Sequence, residues 1–591
     1  MSGSFFGLNI ARTGLFSSQR ALQITGHNIA NANTPGYSRQ RLNVTESNPI
    51  GIPGGQGMQG TGVDTTSIQQ IRDAFLDFKI RKEFTTSGEW EPRLEALQQI
   101  EAIFNEPSDS GIRKVMDEFF SALQELSEGE KADNLTVRAQ VRQRGIALAK
   151  TLNHMYNQLS DMQKNTDFAV ETTVDQINGY AKEIAKLNKQ ISIYELDGSH
   201  ANDLRDQRNL LIDKLSELVD IDVKEIPNGN SENLGTNMRI MIGGNILVSN
   251  ENYNTLKATP REGLNNYLDQ PRLLEIKWED GTTFSCRGGK LKGLLDVRDN
   301  IDGKEKGIPY YMDKLNKFTT TFILRFNMQH GSGYGLAGAG TGIPFFNSAY
   351  LMKIPDTTPA TPVPAGYKYL KDTNGNTIKD ADGNFYITKD IDYGGMQYVS
   401  NVDINALGGN SDADIIQKFE EKNQGYTLFK VEGASGSVWL KMKIVKAGDV
   451  DISNEIYNNL NNIAAGKKAY DSDSDGVLDS ALTGDGSNAL ALNELRHDGN
   501  MFAWGTPDDY FKSLISNLGV DGQEAVRMVD NQAVLIKDID NKRQSISGVS
   551  LDEEMTNMIK FQQSYNACAR MITVVDEMLD KIINGMGVVG R

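Results

Sequence analysis

The sequence predicts a multidomain α+β protein, an elongated, hairpin-like chain whose N- and C-terminal α-helices pair as a coiled coil. Three observations lead to this prediction. At 591 residues the chain is too long for one hydrophobic core. Apolar side chains recur every seven residues at both ends, which is typical of coiled-coil helices. Between the ends, helical periodicity gives way to short β-like runs separated by Gly and Asn, and then returns.

The N-terminal helix carries a row of large apolar side chains beside a row of small ones. The large residues are Leu8, Leu15, Leu22 and Ile29. The small residues stand three positions further on and are Ala11, Ser18, Thr25 and Ala32. A small-residue row lets another helix approach closely. Pro35 ends the helix, because proline disfavours the helical conformation of the residue before it, and Gly36 supplies a turn.

The C-terminal helix repeats the seven-residue pattern. Its large members are Leu551, Met558, Tyr565, Ile572, Leu579 and Met586. Together with the N-terminal row these residues predict an assembly interface. The alternative interpretation is that both stripes belong to the core of one globular domain, which is the ordinary fate of such helices.

The predicted domain division follows the changes in pattern. Residues 1–38 and 551–591 form the terminal helical domain. Residues 39–330 and 451–550 form a mainly helical middle domain with a β-rich part at about 221–290. Within it, Val170, Ile177, Ile184 and Ile191 form a further seven-residue apolar repeat. Residues 331–450, rich in Gly, Pro, Thr and Asp, form an inserted β-rich outer domain.

Composition and motifs exclude several classes of function. The chain has 78 acidic and 61 basic residues, a formal charge of −17, which argues against a nucleic-acid partner. It shows no secretory signal and no run of about 20 apolar residues that could span a membrane. The two cysteines form no disulfide framework, and neither a zinc motif nor a catalytic grouping is present. We expect neither an enzyme nor a resident cofactor.

One acidic loop resembles the first part of a calcium-binding loop. Its candidate ligands are Asp471, Asp473, Asp475 and Asp479. They occupy positions 1, 3, 5 and 9 of such a loop, with Gly476 at position 6. Position 12, where a bidentate Glu belongs, is Leu482, so a weak site would need another ligand such as Asp485. The alternative is a solvated acidic turn.

Several segments carry a family resemblance. Residues 28–40 read Asn-Ile-Ala-Asn-Ala-Asn-Thr-Pro-Gly-Tyr-Ser-Arg-Gln, which resembles the N-terminal signature of bacterial flagellar axial proteins, namely the rod, hook and hook-associated proteins. The Tyr-Ser-Arg-Gln ending is most similar to the hook-associated protein 1 family. Further stretches with the same resemblance are 103–111, 117–126, 201–208, 288–299, 488–492, 551–565 and 588–591. The resemblance covers about 1–330 and 450–591.

The resemblance implies a structural subunit of the bacterial flagellum at the hook–filament junction. It implies an extracellular location, reached by type III export without a cleavable signal peptide. The implied partners are further copies of the chain, the hook protein, hook-associated protein 3, and an export chaperone on the C-terminal helix. Two alternatives remain: another axial protein, of the hook or rod, or a junction protein whose outer domain also binds glycans. The aromatics considered for that second role are Tyr367, Tyr369, Phe385 and Tyr386.

Overall fold

The structure is a computed structural model of the whole chain. It describes every residue except 1–3, 52–56, 106–110, 197, 228–235, 302–305, 348–350, 357–362, 365, 372–374, 390–396, 400–403, 405–406, 410, 434–435, 475–477, 503–504 and 586–591. Helices dominate both ends and the middle of the described chain, and small antiparallel sheets lie between them.

The helices carry the long dimension of the fold. They are α1 (Ser4–Ala30), α2 (Ala74–Phe104), α3 (Ile112–Leu126), α4 (Leu135–Tyr194), α5 (Asn202–Leu218), α6 (Lys290–Asp299), α7 (Ile308–Gly331), α8 (Asp412–Lys422), α9 (Asn454–Asn458), α10 (Ser487–Glu494), α11 (Pro507–Ser547) and α12 (Leu551–Gly585). At 60 residues, α4 is about 90 Å long, given a rise of about 1.5 Å per residue.

The strands form several small sheets. They are β1 (Gln40–Glu46), β2 (Ile50–Gly51), β3 (Met58–Gln59), β4 (Val63–Gln70), β5 (Asp222–Pro227), β6 (Thr236–Ile242), β7 (Asn245–Ser249), β8 (Asn252–Tyr253), β9 (Leu256–Pro260), β10 (Leu274–Trp278), β11 (Leu351–Ile354), β12 (Tyr367–Tyr369), β13 (Phe385–Lys389), β14 (Gln397–Val399), β15 (Tyr426–Gly433), β16 (Gly436–Lys443), β17 (Ala469–Tyr470) and β18 (Ser480–Ala481). The sheets are β1–β4, β2–β3, β5–β6–β7–β8, β9–β10, β11–β13–β12, β14–β16–β15 and β17–β18.

Local sequence explains where the long helices begin. The side chain of Asn134 accepts a hydrogen bond from the backbone of Thr136 and caps α4. Thr506 and Asp509 form a reciprocal capping box at the start of α11, and Pro507 occupies the first turn, where no backbone donor is needed. These caps satisfy backbone groups that the helix itself leaves unpaired.

Two apolar cores hold the helical body together. The larger one joins α2, α3, the first half of α4, α7 and α11 around closely packed aromatic rings. Within it the Phe318 and Phe511 ring centroids lie 4.4 Å apart. The second core joins the second half of α4 to α5, α6 and the sheets of β5–β10. The predicted seam of Val170, Ile177, Ile184 and Ile191 is confirmed, because all four side chains are buried, the first three of them in this second core.

Residues 351–443 pack around smaller cores, and we call them the inserted segment. Its sheets β11–β13–β12 and β14–β16–β15 share one core with Leu324 and Met328 of α7. The helix α8 covers the other face of the second sheet. The flanking Phe345 and Phe346 belong instead to the body core. The division into domains and the elongated hairpin shape both stay predictions.

The aromatics considered as a glycan platform line the interior of the inserted segment. Tyr386 is buried in the core shared with α7. Tyr367, Tyr369 and Phe385 pack against a small buried cluster of Met352, Ile354 and Ile387, and the Tyr369 and Phe385 ring centroids lie 4.9 Å apart. These contacts are those of core residues, and they do not favour a sugar-binding surface.

Candidate assembly site at the chain ends

Helices α1 and α12, which we call the terminal helix pair, pack side by side in opposite directions. The Ser18 hydroxyl lies 3.1 Å from that of Ser564. Ten residues later along α1, the Asn28 side-chain amide donates to Glu554, ten residues earlier along α12, over 3.1 Å. Contact positions therefore rise on one helix as they fall on the other, which defines an antiparallel pair.

The face of α1 towards α12 consists of small residues. A methyl group at Gly14 would stand 2.9 Å from the Cys568 sulfur, so the helices meet here without room for a side chain. Seven residues earlier, a methyl at Gly7 would touch Val575 at 3.8 Å. The spacing alternates between four and three residues. We call this face the small-residue seam, and its members are Gly7, Ala11, Gly14, Ser18, Ala21, Thr25 and Asn28.

On α1 the predicted interface residues flank this seam rather than forming it. Across both helices, eight of the predicted interface residues are partly buried, and these are Leu8, Leu15, Leu22, Ile29, Met558, Tyr565, Ile572 and Leu579. Leu551 is 49% exposed. Met586 lies outside the described residues. Whether these side chains contact neighbouring subunits stays a prediction.

The outer face of the terminal helix pair exposes many large apolar side chains. On α1 the main one is Phe16, which is 56% exposed. On α12 the exposed residues are Leu551, Met555, Ile559, Met571, Val574, Met578, Ile582 and Ile583. These α12 residues fall into two groups, 551–559 near its start and 571–583 near its end. Scattered exposed apolar residues are ordinary, but groups of them on one helix indicate a candidate surface for another molecule.

A β-hairpin covers a further side of α1. Its strands β1 and β4 pair in an antiparallel ladder directly after the N-terminal helix. Arg20 donates to the Thr65 hydroxyl over 2.8 Å, and the backbone of Val63 donates to the Thr13 hydroxyl over 3.4 Å. The hairpin therefore runs back along α1 from its C-terminal end towards its N-terminus.

Asn28 lies at the base of the terminal helix pair with its amide fully hydrogen-bonded. Its Nδ2 donates to the Gln40 carbonyl over 2.9 Å and to Glu554 over 3.1 Å. Its Oδ1 accepts from the Tyr37 hydroxyl over 2.7 Å and from the Gln40 backbone over 3.0 Å. Because a buried amide left unpaired is costly, this arrangement favours asparagine at position 28.

Arg39 joins the two chain ends at the same point. Its Nε donates to Oε1 of the buried Glu554, and its Nη1 donates to Glu553, each over 2.8 Å. The Arg39 backbone also donates to the carbonyl of Ser547, the last residue of α11, over 2.8 Å. A buried carboxylate needs such a charged partner, so Arg39 compensates the charge of Glu554.

An ion-pair network continues from this base into the body. The Ser38 backbone donates to Asp206 over 2.9 Å, and Arg72 lies 3.5 Å from the same carboxylate. Arg543 of α11 pairs with Asp213 of α5 over 2.8 Å. Burial raises the pKa of Asp206, and the hydrogen bonds from Ser38 and the charge of Arg72 oppose that rise. The network connects the motif at residues 28–40 to α5 and α11.

The turn predicted at Pro35 and Gly36 has a packing role as well. Gly36 has φ of +78°, which favours glycine, and a methyl group there would stand 3.1 Å from Leu210. Tyr37, which follows, has its pKa raised by burial and by the nearby carboxylates Asp203, Asp206 and Glu554. The motif at residues 28–40 contains Asn28, Tyr37 and Arg39, but no sequence pattern predicts their hydrogen-bond partners.

The acidic loop is only partly described. Asp475 lies outside the described residues. The Asp479 carboxylate accepts from the backbone and the hydroxyl of Ser472, over 2.9 and 2.6 Å. Asp485 accepts from the backbones of Lys467 and Lys468.

Asp471 accepts a hydrogen bond from the Ser474 backbone over 2.7 Å, and Asp473 is exposed. Among the residues the structure describes, no three His, Cys, Asp or Glu side chains form a group that could hold a metal ion. Calcium binding by this loop therefore stays a prediction. In the same described portion of the chain, no helix has the length and apolar character needed to cross a membrane.

Family models match three parts of the chain. The flagellar hook-associated protein FlgK helical domain matches residues 97–346. The flagellar basal body rod protein model matches residues 8–37, which include most of α1. The C-terminal model of the basal body rod FlgEFG proteins matches residues 541–585, which include α12. The two rod-protein models thus fall on the terminal helix pair, and the FlgK model falls on the body.

Whole-chain comparisons agree with these matches. The chain is 32% identical to flagellar hook-associated protein 1 of Bacillus subtilis (strain 168), covering all of both chains. It is 26% identical to that of Salmonella typhimurium, covering 98% of this chain and 99% of the other. The solved flagellar hook junction protein FlgK from Burkholderia pseudomallei has a similar fold, with a TM-score of 0.52 at 16% identity, covering 79% of this chain and 100% of the other. The chain belongs to the flagellar hook-associated protein 1 family, and it is therefore a structural protein of the bacterial flagellum and not an enzyme.

Proposed function

We propose that the chain builds the hook–filament junction by packing its terminal helix pair, as a coiled coil, among the corresponding helices of neighbouring subunits. The observation that carries this proposal is the set of large apolar side chains that α12 exposes near its start and near its end, on a helix already joined to α1 by a seam. The pair thus has one face for its own chain and another for other molecules.

The energetics favour assembly over a solitary pair. Fully burying one large apolar side chain is worth about 1.5–3 kcal/mol, so covering a side chain that is already half-buried contributes on the order of 1 kcal/mol. Helix α12 alone offers Met555, Ile559 and Met578, each more than half exposed. In a closed ring or helical array the same gain recurs in every subunit.

The proposed neighbours follow from the position of a junction. Further copies lie beside each subunit, the hook protein lies on the cell-proximal side, and hook-associated protein 3 lies on the distal side. Before assembly the exposed face of α12 offers an export chaperone an amphipathic helix to hold. The proposal includes type III export to the outside of the cell without a cleavable signal peptide.

The test places a charge at one partly buried position on each terminal helix. In cells carrying Leu15→Asp or Ile572→Asp we expect hooks without filaments and filament protein released into the medium. The reason is that burying an unpaired carboxylate among apolar side chains costs several kcal/mol in each subunit. Electron microscopy of cells and gels of the medium provide the measurement.

Matched controls put the same charge on exposed positions of a body helix, away from the proposed surface. Gln158 and Gln176 of α4 are exposed, so Gln158→Asp and Gln176→Asp change the net charge equally without touching the terminal helix pair. We expect normal filaments from both. Normal filaments from Leu15→Asp and Ile572→Asp as well would show that the apolar rows of the terminal helices are not the assembly surface.

A further inference from the structure

A buried cluster of charges lies where the inserted segment meets the helical body. Lys317 projects from α7 of the body, and its Nζ lies 2.7 Å from Asp313 Oδ2, one turn earlier on the same helix. The same Nζ lies 2.7 Å from Glu420 Oε2, on α8 of the inserted segment. One ammonium group therefore bridges a carboxylate from each side of the junction.

All three side chains are mostly shielded from water. Lys317, Asp313 and Glu420 retain 21%, 9% and 14% of their side-chain exposure. The remaining carboxylate oxygens are also occupied, since Tyr267 donates to Asp313 and the Thr427 hydroxyl donates to Glu420. The cluster holds two carboxylates and one ammonium, in a setting where charges interact more strongly than in water.

Next to this cluster, Gly425 of the inserted segment packs closely against Tyr267 of the body, so this contact depends on where the inserted segment lies. Gly425, immediately before β15, has φ of +81°, and a methyl group there would stand 3.1 Å from the Tyr267 ring. The pKa of Lys317 follows the same balance, because burial lowers it and the two carboxylates raise it more. The ammonium is thus held charged between them.

We propose that Lys317 is a positioning residue that holds the inserted segment at one angle on the helical body, by cancelling the repulsion between Asp313 and Glu420. Without the ammonium, two buried carboxylates from opposite sides of the junction face each other, and α8 moves away from α7. Without Glu420, the Lys317–Asp313 pair within α7 remains intact. Loss of Glu420 should therefore suppress the effect of losing Lys317.

The experiment measures the distance across the junction in the full chain. Spin labels go on Glu421 of α8 and Asn165 of α4, both exposed, after Cys286 and Cys568 have been replaced by alanine. Double electron–electron resonance spectroscopy then gives the distribution of distances between the label on the body and the label on the inserted segment. A lysine with only a local packing role would leave that distribution unchanged.

We expect Lys317→Met to broaden the distribution at least twofold and shift it to longer distances. We expect Glu420→Gln to leave it near the wild type, and the double variant to be narrower than Lys317→Met alone. Lys317→Arg, which keeps the charge, should restore most of the wild-type width. A Lys317→Met distribution of wild-type width, or a double variant as broad as Lys317→Met, would overturn the proposal.

A matched control uses an ion pair inside the inserted segment. Lys430 on β15 lies 2.7 Å from Asp412 on α8 and does not touch the body cluster, so Lys430→Met should not change the distance distribution. If Lys317→Met instead melts the inserted segment, the melting temperature becomes the measurement. Glu420→Gln must then raise the melting temperature of Lys317→Met, and a failure to do so equally overturns the proposal.

Discussion

Helices α4 and α12 carry the same seven-residue apolar repeat, but the chain buries one and leaves the other largely in solvent. In α4, Val170, Ile177 and Ile184 are fully or almost fully buried in the second body core. Among the described residues of α12, only Glu554 is buried. An apolar repeat therefore shows that a helix has a partner without showing whether that partner lies in the same chain.

The difference also separates two ways of stabilising a helix. Helix α4 is held by cores that α3, α5, α7 and the β5–β10 sheets share with it. Helix α12 is held by a narrow seam of small residues on α1 and by the polar base at Asn28 and Arg39. Small residues bury little apolar area, and many large apolar side chains of α12 stay exposed in the single chain.

The largest expected effect comes from placing the same charge on the two repeats. Ile177→Asp in α4 should destabilise the body by more than about 4 kcal/mol, because the side chain is completely buried. Ile572→Asp in α12 should change the stability of the body by less than about 1 kcal/mol. Urea unfolding of the purified chain, followed by circular dichroism, measures both.

A conservative control keeps this comparison clean. Ile177→Val removes one buried methylene and should cost about 1 kcal/mol, which shows that the site responds in proportion to what is lost. Equal destabilisation by Ile177→Asp and Ile572→Asp would mean that α12 belongs to the same cooperative core as α4. The distinction between the two helices would then be wrong.

Sequence periodicity predicts the long helices well, because a regular spacing of large apolar side chains can be recognised without knowing which element they pack against. The seam of Val170 to Ile191 in α4 is the clearest case. At the chain ends the sequence predicts a row of small residues along which another helix can approach, and its members Ala11, Ser18 and Thr25 are all buried. The predicted interface itself, however, consists of the large residues such as Leu15 and Leu22, which lie beside that row. Gly7 and Gly14, which complete the seam, contribute nothing to an apolar pattern and were not predicted.

The base of the terminal helix pair could not be predicted from spacing at all. Arg39 and Glu554 stand more than 500 positions apart, and nothing in the local sequence of either one identifies the other. Asn28 and Tyr37 belong to the motif at residues 28–40, but their hydrogen bonds depend on how α1, β1 and α12 come together in the fold. Polar networks depend on tertiary structure, and periodicity reports only on single elements.

The second prediction concerns His330, a histidine of α7 that is buried in the helical body. His330 is fully buried, with Nδ1 2.7 Å from the Ile343 carbonyl and Nε2 accepting from the Ala464 backbone over 2.9 Å. Burial lowers its pKa to about 4, and the charge of Arg138 acts in the same direction. The neutral ring is therefore favoured in the folded body.

Stability should consequently fall as the pH falls from 6.5 towards 4, because the unfolded chain then binds a proton that the folded body excludes. The contribution is about 3 kcal/mol, fully present above pH 6.5 and lost below about pH 4. Urea unfolding at several pH values measures it, with His330→Gln as the reference that removes this titration. Parallel curves for the two chains would contradict the prediction.

The smallest expected effect concerns the register of the terminal helix pair and leaves the body unchanged. A cysteine at Gly14 would place its Cβ 2.9 Å from the Cys568 sulfur, too close for a non-bonded contact but suitable for a disulfide. We therefore expect Gly14→Cys to form an intramolecular disulfide on mild oxidation. Thiol titration and mass spectrometry of the linked peptides measure it, and the body's urea midpoint should not move.

Two other glycines of α1 make this test specific. A methyl at Gly26 would meet nothing within 4 Å, so Gly26→Cys should stay reduced under the same conditions. Gly7 lies on the small-residue seam seven residues before Gly14 and faces Val575, so Gly7→Cys should reach Cys568 only if α1 slides by one heptad. Efficient linkage from Gly7→Cys would show that the pair slides. Equal linkage from all three would show that α1 and α12 meet only transiently, and that the base at Asn28 and Arg39 does not hold them in register.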